Sequence, residues 1–421
     1  MRILYIVSTF PTVSETFVLS QIAGAVRRGH DVQVYSLHLG DTSVLHPEVL
    51  ADSLLHRVVV PPRREANWVR RCSHALRLAA SVGRRRAAAA LRSLNVVAYG
   101  REAASLELFF AASPLFKSDP FDIIHCHFGP CGLKALALRR LGAVDGKLVT
   151  TFHGYDVNVL PRRRGRQLYD PLFAAGDLFI VGSDFIRGRL LSLGADSSRV
   201  VKVPPGVSLA RFDFRERRPD PDGSVRLITV GRLEEVKGVE YAIRAMTRLV
   251  DRFPRLRYQI VGDGSLRDSL KALVSTLRLE QWVEFLGRQP HDEVSRLCER
   301  AHIFVYSGVV GRNGAEEGLG MALLEAQASG LPVIASRVGG VEEAVPSGQS
   351  GVLVPPGDAD ALAEAISHLI QHPELWPGLG RSGRQHVQDN YDLEAINDHL
   401  GVLYERLVHD PAPPKRPQVR S

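Results

Sequence analysis

Two carboxylates, Glu317 and Glu325, bracket a glycine-punctuated turn in the run EEGLGMALLEAQASG, Glu316 to Gly330. Gly318 and Gly320 let the backbone turn sharply and come close to a ligand. MALLEAQAS then reads as a helix stopped by Gly330 and Pro332. The N–H groups around Leu319, Gly320 and Met321 have no intrahelical partner and lie at the positive end of that helix. Such an end holds a diphosphate, or the negative charge of a leaving group. Glu325 has Met321, Ala322, Ala328 and Ser329 one turn away, so its charge costs free energy unless something donates to it. Sugar or ribose hydroxyls suit it, because an ionised carboxylate accepts two donors at once. The plain structural alternative is an N-cap at Glu317 and a solvent-facing Glu325. A second cluster, HCHFGPC (His125 to Cys131), puts His125 and His127 on one face of a strand. Cys131 lies beyond a Gly-Pro turn, and a site needs three or four closed ligands, so no metal is expected.

These groups need rigid elements. Short β-branched runs alternate with helical patterns along the chain. The first half holds Ile3 to Ser8, Val32 to Ser36, Asp122 to His127, Lys147 to His153, Leu178 to Ser183 and Val200 to Pro204. The second holds Arg226 to Arg232, Leu256 to Gly264, Trp282 to Gly287, His302 to Ser307, Pro332 to Ser336 and Gly351 to Pro355. Strands apolar on both faces and separated by helices mean parallel sheets covered on both sides. The expected fold is α/β, with two Rossmann-like, doubly wound domains facing a crevice. The polar stretch Arg211 to Ser224 reads as the linker. The first domain is placed at 1–210, with a basic helical insertion at about 63–118, and the second at 211–390. A C-terminal helix at 391–410 is expected to return towards the first domain, and 411–421 reads as a disordered basic tail.

The chain has 421 residues, 45% apolar and 24% charged, as a globular protein should. A formal charge of +7 favours anionic partners without choosing among them. Four scattered cysteines argue against a disulfide framework and suit a reducing cytoplasm. The N-terminal apolar run closes at Pro11, short for a signal peptide, and no stretch approaches the roughly 20 residues that span a bilayer. From Arg63 to Arg101 arginine dominates: Trp68, Cys72, Ala75, Leu76 and Ala79 share one helical face, and Arg70, Arg77 and Arg84 the opposite one. A helix of this kind lies either in an anionic membrane interface or on its own domain with its arginines in water.

E-x7-E in this setting, followed by the ASGLPVIAS strand, GGVEEAV (Gly339 to Val345) and SGVLVPPGD (Ser350 to Asp358), resembles the donor site of family 4 glycosyltransferases. The resemblance covers most of the C-terminal half. It implies a retaining enzyme of the GT-B fold that uses a nucleoside-diphosphate sugar and no metal or other cofactor. VGRLEEVKGVEYAI (Val230 to Ile243) is similar to the family's G-R-x4-K-G element. Arg232 and Lys237 would thus bind the donor diphosphate and stabilise it as it departs; the alternative is a pair of solvated cations. The turn VGDGS would bring Gly262 close to the nucleotide, and Arg288 in FLGRQP takes the family's base-contacting position. His153, in TFHGYDV, matches the family's active-site histidine, with a core histidine as the alternative, and Asp156 is placed in the same pocket. The stretch Phe10 to Ser36 and TFHGYDV resemble the exopolysaccharide branch, typified by colanic-acid and amylovoran glycosyltransferases. The wider family has a glycine-rich first loop where this chain has Pro11 to Thr16. Ser14 and Glu15 there either cap a helix or meet acceptor hydroxyls.

The expected reaction moves a sugar to an acceptor hydroxyl with retention. Glu317 would hold sugar hydroxyls and Glu325 the ribose. The acceptor is a lipid-linked oligosaccharide or, alternatively, a soluble aminocyclitol or natural product. A nucleotide-sugar epimerase on the same fold is the more distant alternative. Nucleic acid is not an expected partner. A dinucleotide-dependent dehydrogenase is excluded, because the first strand leads into STFPTVSETF without the glycine fingerprint. The expected location is cytoplasmic, at the inner membrane face if the basic helix docks there.

Overall fold

The computed structural model describes residues 1–12, 15–41, 49–50, 52–63, 65–80, 82 and 86–409. Ser14, Arg84 and the expected tail lie outside the described residues. The first half forms a 7-stranded parallel sheet from β1 (Arg2–Phe10), β2 (Asp31–Leu39), β3 (Val58–Val59), β4 (Ile123–His127), β5 (Lys147–Phe152), β6 (Leu178–Val181) and β7 (Val200–Lys202). Its order is β3-β2-β1-β4-β5-β6-β7. The second half forms a 6-stranded parallel sheet from β8 (Val225–Val230), β9 (Leu256–Val261), β10 (Val283–Gly287), β11 (Ile303–Tyr306), β12 (Val333–Ser336) and β13 (Gly351–Val354). Its order is β10-β9-β8-β11-β12-β13.

Each sheet is buried on both faces. Residues Ile3 to Val7 of β1 and Ile303 to Val305 of β11 are at most 1% exposed, so neither face alternates with water. Helices cover them, and separate hydrophobic clusters line the two sides of each sheet. Strand order reverses between β1 and β4 in one sheet and between β8 and β11 in the other. Open α/β sheets bind ligands at the carboxyl ends of such switch points. In this chain the residues just after β8 and β11 are the R-x4-K and E-x7-E segments.

Every run read as a strand is one; the two-residue edge strand β3 was not anticipated, being too short to show a period. The stretch read as a linker is strapped to the second half. Phe212 is 1% exposed, and the buried Arg217 guanidinium donates to the carbonyls of Ser329 (2.9 Å) and Cys298 (3.1 Å). The helix Leu393–His409 crosses back onto the first half. Arg28 holds Glu394 and Asp398 there, and Tyr404 reaches the Tyr5 hydroxyl at 3.3 Å and the His125 ring.

The basic segment rests lightly on the first half, with Arg70 and Arg77 exposed. Helix Trp68–Ala79 docks through Ala75, its one buried residue, while Trp68, Val69 and Leu76 remain 52%, 74% and 72% exposed. Arg86 is not a free surface charge: it is 3% exposed and bonds the Gly142 carbonyl and Asp145, each at 2.8 Å. Among the described residues no helix is long and apolar enough to cross a membrane.

Candidate active site

Lys237 and Glu317 form an ion pair at the carboxyl end of the second sheet. The 3-10 turn Glu235–Lys237 after β8 carries the lysine, and Gly238 follows it in the left-handed region at φ +58°. A Cβ at Gly238 would strike the Ser307 carbonyl oxygen, so only glycine lets this turn approach β11. Tyr306, the last residue of β11, donates its hydroxyl to Glu317 Oε2 at 3.0 Å, and Lys237 Nζ lies 5.5 Å from its ring centroid. Burial pushes the Glu317 pKa up, but the Lys237 charge and hydrogen bond, with Tyr306 and the Gly318 N–H, bring it below the ordinary carboxylate value. Gly339 and Gly340 support the turn from behind; the Gly340 N–H bonds the Glu317 carbonyl at 2.9 Å. Cβ atoms at these two glycines would collide with the carbonyl oxygens of Glu317 and Gly318, which accounts for the pair in GGVEEAV.

The expected helix runs over Met321–Ala328, with Gly320 at its N-cap at φ +95°. Leu319 is buried at 5% exposure and Met321 is partly exposed. Glu317 precedes the cap, so the N-cap alternative for it falls. Glu325 is not solvent-facing either: its Oε1 meets His291 Nε2 at 3.3 Å, and the Glu325 side chain is 14% exposed. The Glu325 hydrogen bond, working against burial, raises the His291 pKa.

His153 follows β5 and is the N-cap of the short helix Gly154–Asn158. Its ring packs between Phe128 (4.5 Å between centroids) and Phe17 (4.8 Å), and its Nε2 lies 3.5 Å from His127 Nδ1. His127 stacks in turn on His125, whose Nε2 meets Thr151 Oγ1 at 2.7 Å. Burial pushes His125 and His153 down to about 3 and His127 well below its ordinary value, so the three rings are neutral at physiological pH. This row has no metal-site geometry: among the described residues no group of three His, Cys, Asp or Glu is arranged around a common point.

Asp156 is buried against the backbone of His153. It is 1% exposed, and its Oδ2 accepts the Gly129 N–H at 3.0 Å and the His153 N–H at 3.2 Å. It ties the turn after β4 to the turn after β5, and burial, opposed by those two bonds, raises its pKa to about 7. Gly262 makes a close approach within its own half. At φ +137° it presses on the backbone of Gly231, where any Cβ would overlap the carbonyl oxygen. Glu15 occupies the N-cap position of helix Thr16–Arg27 without a side-chain cap bond, so the capping reading fails for Glu15. Burial raises its pKa, while the Arg232 charge from the other half and a Thr12 hydrogen bond oppose the rise. Arg232 is exposed, as is Arg288 just past β10. The structure thus pairs Lys237 with Glu317 and Glu325 with His291. Tyr306 and His291 were missed from the sequence; Tyr306 reads as one more strand residue, and only its place at the end of β11 marks it.

Residues 14–211 match the family Glycosyltransferase Family 4, and residues 210–386 match Glycosyl transferases group 1. A Salmonella typhimurium protein named as a colanic acid biosynthesis glycosyltransferase, WcaL, is 34% identical over 97% of this chain and 100% of its own length. The chain belongs to the family 4, group 1 glycosyltransferases. The amylovoran biosynthesis glycosyltransferase AmsK of Erwinia amylovora is 29% identical over 97% of this chain and 100% of its own. Among solved structures, Anabaena HepE in complex with UDP superimposes with a TM-score of 0.70 at 17% identity, covering 96% of this chain and 100% of that one. Sucrose-phosphate synthase of Thermosynechococcus elongatus gives 0.69 at 22% identity, covering 97% and 99%. The shared architecture is GT-B.

In this glycosyltransferase, Glu317 is held ionised by one cation and one phenol beyond the carboxyl end of the second sheet. A carboxylate so held accepts hydroxyl donors without moving, and a lysine beside it is a point charge for phosphate oxygens.

Proposed function

We propose that the enzyme transfers a sugar, with retention, from a nucleoside-diphosphate sugar to an acceptor glycan in exopolysaccharide assembly. The observation that carries this reading is the Lys237–Glu317–Tyr306 cluster at the switch point of the second sheet. The donor's diphosphate would draw on Lys237, Arg232 and the N–H groups at Leu319, Gly320 and Met321, its sugar hydroxyls on Glu317 and its ribose on Glu325. Arg288 would lie against the base. Electrostatic stabilisation of the departing diphosphate supplies the main rate advantage. A donor phosphate oxygen takes the acceptor proton on the same face, and His153, a neutral imidazole, hydrogen-bonds the sugar at the forming centre. No metal or other cofactor takes part. The second half would hold the donor and the first half the acceptor, with Glu15 meeting acceptor hydroxyls opposite Arg232.

UDP bound to the fold neighbour HepE and the names of the colanic-acid and amylovoran relatives support the donor class and the pathway. The acceptor is a lipid-linked oligosaccharide at the cytoplasmic membrane face. The exposed Trp68, Val69 and Leu76 beside exposed arginines favour it over a soluble acceptor. The test is to incubate the enzyme with a panel of nucleotide sugars and follow nucleoside diphosphate release with and without acceptor lipid. Lys237→Ala should lower kcat on the active donor about 10²–10³-fold, the cost of removing one charge-stabilising donor. Unchanged turnover removes the assigned role of Lys237, and conversion of a donor to its epimer without acceptor would favour an epimerase.

A further inference from the structure

Glu316 and Glu317 are neighbours whose carboxylates serve different halves of the molecule. Glu317 takes Lys237 and Tyr306 from its own half. Glu316 turns to the other, where its Oε1 accepts from Arg189 Nη2 at 2.8 Å. Gly318 then gives its carbonyl to Ser183 Oγ at 2.6 Å, and the same hydroxyl oxygen caps helix Asp184–Ser192 by accepting the Ile186 N–H at 3.2 Å. Glu343, on the helix Val341–Ala344, accepts the Asp184 and Phe185 N–H groups at 2.8 and 2.9 Å, so this N-terminus is also anchored to the second half. On the opposite side Gly154 closes in, a Cβ there lying 3.2 Å from the Glu316 carbonyl oxygen. The two residues flanking Glu317 are thereby bonded from the half that does not carry them.

We propose that Arg189 and Ser183 are positioning residues for Glu317, holding its turn in place so that the donor-sugar grip is complete only while the two halves are in contact. The inference rests on the donor-site reading above. An enzyme that handles an activated sugar gains by leaving its grip incomplete until water is shut out. Arg189 is 40% exposed and Glu316 9%, so losing the arginine leaves a largely buried carboxylate without its partner and displaces the turn that carries it.

The test uses the full chain and whichever of UDP-glucose and GDP-mannose the wild type consumes. Arg189→Glu should lower kcat about tenfold with donor KM within about twofold, as misplacement rather than lost binding does. It should also speed amide hydrogen exchange across 316–320. The double reversal Arg189→Glu with Glu316→Arg should recover both readouts to within about threefold, since the signs are exchanged and the pair restored. Ser183→Ala, which leaves the ion pair intact, should give a smaller loss of the same kind and covers the case in which Arg189→Glu fails to fold. The proposal is overturned if neither single variant changes kcat or exchange, or if the double reversal does no better than Arg189→Glu alone. Glu317→Gln separates the two ideas. Full activity there removes the donor-site reading and this inference with it; loss there beside an indifferent Arg189→Glu removes the positioning role alone.

Discussion

His153 and Asp156 occupy one turn, yet burial drives their protonation in ways that suit different tasks. The imidazole is pushed down to about 3, so it is uncharged from pH 5.5 to 8.5 and can donate or accept a hydrogen bond without titrating. The expected kcat profile over about that range therefore carries no His153 limb. An inflection near neutrality that disappears in His153→Asn would refute the neutral role. Asp156 runs the other way. Its carboxyl rises from 3.8 to about 7, so the folded chain keeps a proton that the unfolded chain has lost. That contribution to stability is complete below about pH 4 and fades as pH climbs through about 7. From sequence, the two residues look like partners in one pocket; the depth of Asp156, which makes it a brace between two turns, depends on how β4 and β5 lie side by side.

The elements were largely legible because parallel strands buried on both faces are written as uninterrupted β-branched runs, and helices between them carry a different period. Gly262 shows a constraint that the reading of the element left out. The direction a Cβ would take there is closed by the Gly231 backbone of the neighbouring strand end. Gly262→Ala should destabilise the protein by about 1–3 kcal/mol for the backbone conformation alone, with the overlap adding to it. Urea unfolding would measure this, and a wild-type midpoint would show that the strand ends can part without cost. Nothing in the local sequence distinguishes a glycine that admits a ligand from one that admits another strand.

Across the whole molecule, charge and exposed apolar surface are concentrated in the arginine-rich segment of the first half. Trp68, Val69, Leu76 and Leu91 stand free of the core alongside Arg70 and Arg77. Vesicles containing about a third phosphatidylserine should sediment the protein at 0.1 M salt and release most of it at 0.5 M, where the screening length is several-fold shorter than the reach of the patch. Arg70→Glu with Arg77→Glu should weaken binding at low salt while leaving transfer to a water-soluble acceptor analogue unchanged. Failure to sediment at either salt concentration would favour a soluble acceptor.

The types and order of the side chains were enough to read two doubly wound parallel-sheet domains, because strand periodicity acts over a few residues, while Lys237, Glu317, Glu325 and His153 were singled out by their resemblance to a known family's motifs. Which groups those side chains meet could not be had that way. Tyr306 reaches Glu317 from eleven positions upstream, Arg189 grips Glu316 from 127 positions away, and Tyr404 crosses 279 positions to His125. Such pairings exist only once both sheets have closed and the last helix has returned across them, since long-range contact geometry follows from packing and leaves no periodic trace in the chain.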